Sequence, residues 1–292
     1  MKKKATQCVG GLSFVVLSAL LVIGCAEPHS LFEEEDKGTV KLAYVNWAEG
    51  VAVTHLVDVL LRDEGYDVEL TMADMRSIYT AVADGDQDVM IETWLPVTHE
   101  LYYDEYGDRI ELISPWFDAA RIGLVVPDYV DIDSIEELNA AADQFNDFII
   151  GIDPGAGIMN TTGQVIEEYD LEMELMVSSG PAMAAALQGA IQNEDWIVVT
   201  GWEPHWKFAR FDLKFLDDPK GVYGAAETVH AAARLGFAEE YPAVTELFEN
   251  MAFSSEEIGS LMDAMDGAEG VEEQAIRQWI SENQELVDNW LP

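Results

Sequence analysis

The 292-residue chain carries 15 Lys and Arg against 56 Asp and Glu, a formal charge of -41 at pH 7. A surface this acidic repels nucleic acid and anionic lipid headgroups, which excludes nucleic acid as a partner. With 49% of its residues hydrophobic the chain still holds enough apolar material for a packed core, which excludes a disordered acidic polymer.

At the N-terminus Lys2, Lys3 and Lys4 form a cationic start, an apolar stretch runs from Gly11 to Gly24, and Val22-Ile23-Gly24 leads into Cys25. This is the layout of a cleaved export signal, and roughly 14 apolar residues are too few to span a bilayer as a stable helix. The Val-Ile-Gly-Cys run resembles a bacterial lipobox. It implies a signal peptide of residues 1–24, a lipid on the Cys25 sulfur, and a membrane-anchored chain outside the cytoplasm, in a periplasm or on the outer face of the cell membrane. The same residues also allow an ordinary soluble export signal or a short retained anchor. No tandem arginine is present in the cationic start, which favours the Sec route. Cys8 falls in the discarded peptide, so the mature chain keeps one cysteine, already lipidated, and neither a disulfide nor a thiolate metal site is available. Loss of the three lysines takes the formal charge from -41 to -44. The acids are scattered over many segments, such as Asp84, Asp86, Asp88 and Glu167-Glu168. They read as a solvated surface whose self-repulsion high salt would screen, hence a halophile.

Residues 25–38 include Pro28 and the run Glu33-Glu34-Glu35-Asp36, which predicts an acidic, solvated tether. From Thr39 onward short apolar runs alternate with amphipathic stretches, the pattern of an α/β protein with largely parallel sheets. Strands are expected at Val40–Asn46, Val68–Met72, Asp88–Thr93, Gly123–Val126, Phe148–Ile152, Glu174–Val177, Ile197–Thr200 and Leu213–Leu216. Ser134 with Glu137 and Ser254 with Glu257 have capping-box spacing, which predicts helices starting near Ile135 and Ser255. A further helix is expected from Pro181. The spacing of Ile258, Leu261, Met262, Ile276 and Trp279 predicts a helical C-terminus, broken at 267–270. About 250 residues exceed a typical single domain, so two lobes are expected. They are 39–120 plus 215–292, and 121–214.

Three of the 8 tryptophans share a context: Trp47 follows Leu42–Asn46, Trp94 follows Val89–Thr93, and Trp202 follows Ile197–Gly201, each at the carboxyl end of an apolar strand. In open α/β sheets that edge is where ligands bind, whereas Trp196 and Trp279 sit where packing would place them. Packing remains an alternative for all three, since tryptophan is heavily buried on average. Several indoles around one cavity suit a quaternary ammonium, a cation with no N–H to donate, through cation–π contacts of around 2 kcal/mol each when desolvated. The turn Asp153-Pro154-Gly155-Ala156-Gly157, opening a helix, offers unpaired backbone N–H groups to an anion, although a ligand-free tight turn fits the same residues. No GxGxxG, P-loop, HExxH or GxSxG pattern occurs, so no cofactor, metal or catalytic triad is expected. His205 is expected to orient the Trp202 loop. Acidic pairs such as Asp217-Asp218 leave a secreted hydrolase as a distant alternative.

The strings LAYVNW (Leu42–Trp47), WLPVTH (Trp94–His99), GLVVP (Gly123–Pro127), GIDPGAGIM (Gly151–Met159), TGWEPHW (Thr200–Trp206) and LKFLDDPK (Leu213–Lys220) occur in this order. Together they resemble the glycine betaine-binding proteins of osmoprotectant ABC transporters, over essentially the whole mature domain. The resemblance implies a two-lobed periplasmic-binding-protein (Venus flytrap) fold with a mainly parallel sheet in each lobe, and a binding subunit, not an enzyme. It also implies a monomer that delivers glycine betaine or proline betaine to a permease. It places a tryptophan prism at Trp47, Trp94 and Trp202, and brings the ligand carboxylate to the N–H groups of Gly157 and Ile158 and to His99. Glu49 departs from this pattern: some choline-binding relatives use an acidic residue near there for the choline hydroxyl, so choline, carnitine or another quaternary ammonium stays open. His99 as a purely structural residue stays open too.

The charge generates a first prediction. Lowering salt from molar to millimolar removes screening that acts over roughly 10 Å at 0.1 M, so the melting temperature should fall. An unchanged melting temperature would show that the acidic surface is not adapted to salt.

Overall fold

The computed structural model describes residues 37–292; the signal segment, Cys25 and all but the last two residues of the acidic tether lie outside them. Nine strands form the framework: β1 (Thr39–Tyr44), β2 (Asp67–Met72), β3 (Val89–Leu95), β4 (Ile110–Pro127), β5 (Phe148–Ile150), β6 (Glu174–Met176), β7 (Val199–Glu203), β8 (Leu213–Phe215) and β9 (Glu227–Arg234). All eight expected strands are present. Two features depart from expectation. Strand β4 reaches back to Ile110, through Pro115 and Asp118, residues that local reading assigns to a loop. Strand β9 was not expected because Ala231, Ala232 and Ala233 give it little intrinsic strand preference; it exists because both its neighbours pair with it.

The strand order is β2-β1-β3-β9-β4-β7-β5-β6, with β8 also beside β4. Strand β1 runs parallel to β2 and β3, and β5 runs parallel to β6 and β7. The antiparallel pairs are confined to β9, β4 and β8 and their contacts with β3 and β7. Strand β4 changes partner along its length: its ladder with β9 ends at Ala120, and its ladder with β7 begins at Arg121. One continuous strand therefore joins two half-sheets whose outer strands are parallel, the α/β architecture expected of the flytrap class.

Helices fill the crossovers. In the first half α1 (Ala48–Asp63) and α2 (Met75–Asp84) connect the parallel strands, followed by α3 (Glu100–Tyr106). Helix α1 buries Ala52, Val53, Leu56, Val57, Leu60 and Leu61, while Glu49 in its first turn and Arg62 in its last complement the helix dipole. In the second half α4 (Leu138–Ala141), α5 (Gly157–Glu168), α6 (Gly180–Asn193) and α7 (Lys207–Arg210) follow. The Ser134–Glu137 capping box forms, but it caps a single 3-10 turn that runs into the four-residue α4. Ser179 caps α6, with Pro181 in its first turn. The chain ends in α8 (Phe237–Glu240), α9 (Pro242–Asn250), α10 (Ser255–Met265), α11 (Glu272–Glu282) and α12 (Gln284–Asp288), with 266–271 separating α10 from α11. Here the Ser254–Glu257 box does start the helix, with Ser254 N–H donating to Glu257 at 2.6 Å and Glu257 N–H donating to Ser254 Oγ at 3.2 Å.

The seam between β4 and β7 is packed to the limit. Gly123 and Gly201 face each other across it. A Cβ on Gly201 would lie 2.3 Å from Val125 Cγ2, and one on Gly123 would lie 2.8 Å from the Phe215 ring. Gly201→Ala should therefore destabilise the fold by about 1–3 kcal/mol, the usual range for overpacking, as measured by urea denaturation. A change of under about 0.5 kcal/mol would show that the seam can relax.

Candidate ligand-binding site

Four strand ends supply the walls of one small cavity, lined by Trp47, Glu49, Trp94, Thr98, His99, Ile122, Ile152, Ala156, Gly157, Ile158 and Trp202. All seven residues singled out in the sequence for ligand contact stand on this wall. Thr98, Ile122, Ile152 and Ala156 were not singled out; three of them lie inside the quoted strings and Ile122 immediately precedes one, but small or aliphatic side chains carry no chemical signature.

Trp47 is the residue before α1, as the strand-end pattern predicts. Trp94 and Trp202 lie within β3 and β7 instead of just past them. The reason is antiparallel pairing: Trp94 is opposite Val229 of β9 and Trp202 is opposite Ile122 of β4, which carries both strands further than their apolar runs suggest. All three indoles are almost fully buried.

Their N–H groups are treated differently. Trp202 Nε1 donates to Glu49 Oε2 at 2.9 Å. Trp47 Nε1 makes a long bond of 3.4 Å to Asp153. Trp94 Nε1 has no partner among the described residues. Behind Trp202, the buried Lys207 ammonium donates to the Trp202 carbonyl at 3.2 Å and lies 4.2 Å from the indole centroid. Burial pushes the Lys207 pKa down to about 7, against the pull of Glu49 and Glu203. The His205 ring stands edge-on to Trp202 at 4.8 Å and its Nδ1 accepts the main-chain N–H of Lys207, so it packs against Trp202 without lining the cavity itself.

The loop after β3 is fixed by His99 from within and by Glu227 from β9. His99 Nδ1 accepts the main-chain N–H of Trp94 at 3.1 Å, and the His99 main-chain N–H donates back to the Trp94 carbonyl at 3.0 Å. The Glu227 carboxylate, from β9, accepts the N–H groups of Val97 and Thr98, each at 2.8 Å, and the Thr98 hydroxyl. Sequence reasoning missed Glu227 because it lies on the unexpected strand, about 130 residues away in a chain full of carboxylates. With Nδ1 used as an acceptor, the His99 proton sits on Nε2, which is buried and has no partner among the described residues. Burial holds His99 down to about pKa 3, the Glu92 carbonyl opposing weakly, so the ring is a neutral donor at ordinary pH.

Helix α5 begins at Gly157, and Ala156 before it provides no side-chain cap. The first-turn N–H groups of Gly157 and Ile158 have no intrahelical acceptor, and they carry the positive end of the helix dipole. Gly157 is sterically required, because a Cβ there would lie 1.8 Å from the Thr98 carbonyl oxygen. The β3 loop of the first half therefore touches the α5 start of the second. Tyr102, donating to the Gly155 carbonyl at 2.7 Å, makes a second such contact.

Glu49 and Glu92 are both buried. The Glu49 pKa is raised to about 7 by burial, with the Trp202 N–H pulling it down. Glu92 is also raised well above the ordinary carboxylate range, by burial first and then by the Glu49 charge. Its carboxyl packs against Gly50, where a Cβ would lie 2.2 Å from the carboxyl carbon. The main-chain groups of Val45 and Gly50 oppose this rise without hydrogen bonds of normal geometry.

Two half-sheets sharing one strand, with an aromatic cavity walled by strand ends from both, define a solute-binding protein of the kind transporters use. The chain belongs to the family of substrate-binding domains of ABC-type glycine betaine transport systems, which it matches over residues 38–282. This family consists of transport binding proteins and not enzymes, which removes the hydrolase alternative. The glycine betaine/carnitine transport binding protein of Listeria monocytogenes is 43% identical over 152 residues, 51% of this chain and 50% of that protein. The match thus spans about half the length of that relative. The lactococcal OpuAC structure in its closed-liganded conformation with glycine betaine aligns with a TM-score of 0.81 and 35% identity, covering 87% of this chain and 100% of that one. An ABC-transporter choline binding protein in complex with choline aligns with a TM-score of 0.80 and 27% identity, covering 86% of this chain and 91% of that one.

The depressed His99 pKa has a definite sign. The unfolded histidine takes up a proton below about pH 6.5, while the folded one resists to about pH 3, so stability is lost as pH falls through this window. His99→Gln should flatten the slope of stability against pH between about 6.5 and 4, measured by urea denaturation at a series of pH values. An unaltered slope would mean that His99 is not held neutral by the fold.

Proposed function

We propose that this chain is the extracytoplasmic binding subunit of an ABC importer and captures glycine betaine, or proline betaine, for delivery to a permease in osmoprotection. The carrying observation is the convergence of three buried indoles, two uncapped helix N–H groups and a free imidazole donor on one cavity. In this reading the methylated ammonium lies among Trp47, Trp94 and Trp202, where cation–π attraction needs no N–H from the ligand. The carboxylate takes the N–H groups of Gly157 and Ile158 and the Nε2–H of His99. His99 then has two roles, bracing Trp94 through Nδ1 and facing the ligand through Nε2. The lobes are residues 39–120 plus 215–292 and 121–214, a division supported by the change of β4 partner between Ala120 and Arg121. Strand β8 straddles that boundary, pairing with the second half-sheet through Phe215. Lipid attachment at Cys25, a monomeric state and adaptation to high salt complete the proposal; they rest on sequence.

A second reading, choline or carnitine, is favoured by one observation: Glu49 stands on the cavity wall, where its carboxyl can meet a ligand hydroxyl. Calorimetry at high salt separates the two. Charge-assisted hydrogen bonds to a carboxylate are worth about 1.5–3 kcal/mol, so glycine betaine should outbind choline by at least about tenfold. Trp47→Ala, Trp94→Ala and Trp202→Ala should each weaken it by at least about tenfold, and His99→Ala should weaken glycine betaine more than choline. Wild-type affinity in all three alanine variants would remove the cage, and tighter binding of choline would change the ligand.

A further inference from the structure

Among the three cavity indoles, Trp202 alone has a short hydrogen bond at its N–H, and the acceptor comes from the other half of the molecule. Glu49 sits in the first turn of α1, after β1 of the first half-sheet, while Trp202 is in β7 of the second. The 2.9 Å bond joins residues 153 apart in sequence, and both are almost fully buried. A buried indole N–H requires an acceptor, and a buried carboxyl requires donors, so each partner answers the other's desolvation. Lys207 holds a second side of the same indole. Its ammonium sits over the ring and bonds the main-chain carbonyl, yet Lys207 does not line the cavity. The ring is thereby fixed at its edge by a carboxyl from one half and over a face by the Lys207 amino group from its own half. Donation from the indole N–H to a carboxyl also increases electron density on the ring, which deepens the negative potential that a bound cation meets.

We infer that Glu49 is the positioning residue of the site: it orients Trp202 across the junction of the two half-sheets, so that completing the aromatic wall and bringing the halves together are one event. This inference rests on the cage reading for its binding consequence and on the hydrogen bond alone for its structural one. Glu49 acts on the ligand through Trp202, and its effect should be the same for every quaternary ammonium, with or without a carboxylate or a hydroxyl.

The test compares Glu49→Gln, which keeps a carbonyl acceptor, with Glu49→Leu, which keeps none, in protein labelled with 15N at the tryptophan indoles. The Trp202 indole resonance is assigned by its loss in Trp202→Phe. Glu49→Leu should move this resonance upfield and weaken glycine betaine and choline by the same factor, about thirtyfold. Glu49→Gln should keep the resonance near its original position and lose less than about tenfold, the difference between neutral and charge-assisted bonds. If Glu49→Leu does not fold, the cycle of Glu49→Gln with Trp202→Phe decides. In the Trp202→Phe background, which has no N–H to accept, Glu49→Gln should cost no further affinity, whereas independent effects would add. An indole resonance indifferent to Glu49→Leu, additive losses in the cycle, or a loss confined to choline would overturn the inference, the last by making Glu49 a direct hydroxyl contact. If the unsubstituted protein binds no quaternary ammonium, the cage reading fails, and the indole resonance still reports whether Glu49 holds Trp202.

Discussion

The interaction on which the rest depends is the ladder of strand β4, 18 residues long, which pairs with β9 up to Ala120 and with β7 from Arg121. A β-strand must satisfy its backbone N–H and C=O groups along its whole length. By exchanging one partner for another between Ala120 and Arg121, β4 joins the two half-sheets through one continuous strand. It also draws β7 far enough to carry Trp202 to the wall, as β9 does for Trp94. The cavity thus follows from pairing geometry before any side-chain chemistry enters.

Within that frame the site is built from groups that have given up water. His99 is neutral, the Glu92 carboxyl is pushed well above the ordinary carboxylate range by burial and by its neighbour, and Glu49 and Lys207 are both brought toward pKa 7, from opposite directions. A chain with a formal charge of -41 therefore presents at its centre a nearly uncharged, aromatic surface with a few fixed donors. Such a surface favours a weakly hydrated organic cation over an inorganic one, because indole faces replace a thin hydration shell at little cost and a tight one at great cost.

Much of this was legible in the sequence, for identifiable reasons. Eight strands announced themselves as apolar runs, and the Ser254–Glu257 box marked the start of α10, because these signals depend on neighbours in the chain. The Ser134–Glu137 box was equally visible, but what followed was one 3-10 turn and one turn of α-helix, since capping fixes a beginning and says nothing of length. The tryptophans could be read because the carboxyl ends of strands form a common edge in α/β sheets. Glu227 could not, since its value lies in three hydrogen bonds from a loop about 130 residues away.

By itself, then, the sequence determined the α/β class of fold and the strand ends that carry Trp47, Trp94 and Trp202, which follow from periodicity and strand ends, properties of short stretches. Glu49, His99, Gly157 and Ile158 were reached through the family resemblance. Only the tertiary structure decided that β9 exists, that His99 keeps its proton on Nε2, and that Glu49 holds Trp202. Strand pairing, tautomer and the partner of a buried carboxyl are set by groups that meet only after the chain has folded, where desolvation makes every unpaired polar atom costly.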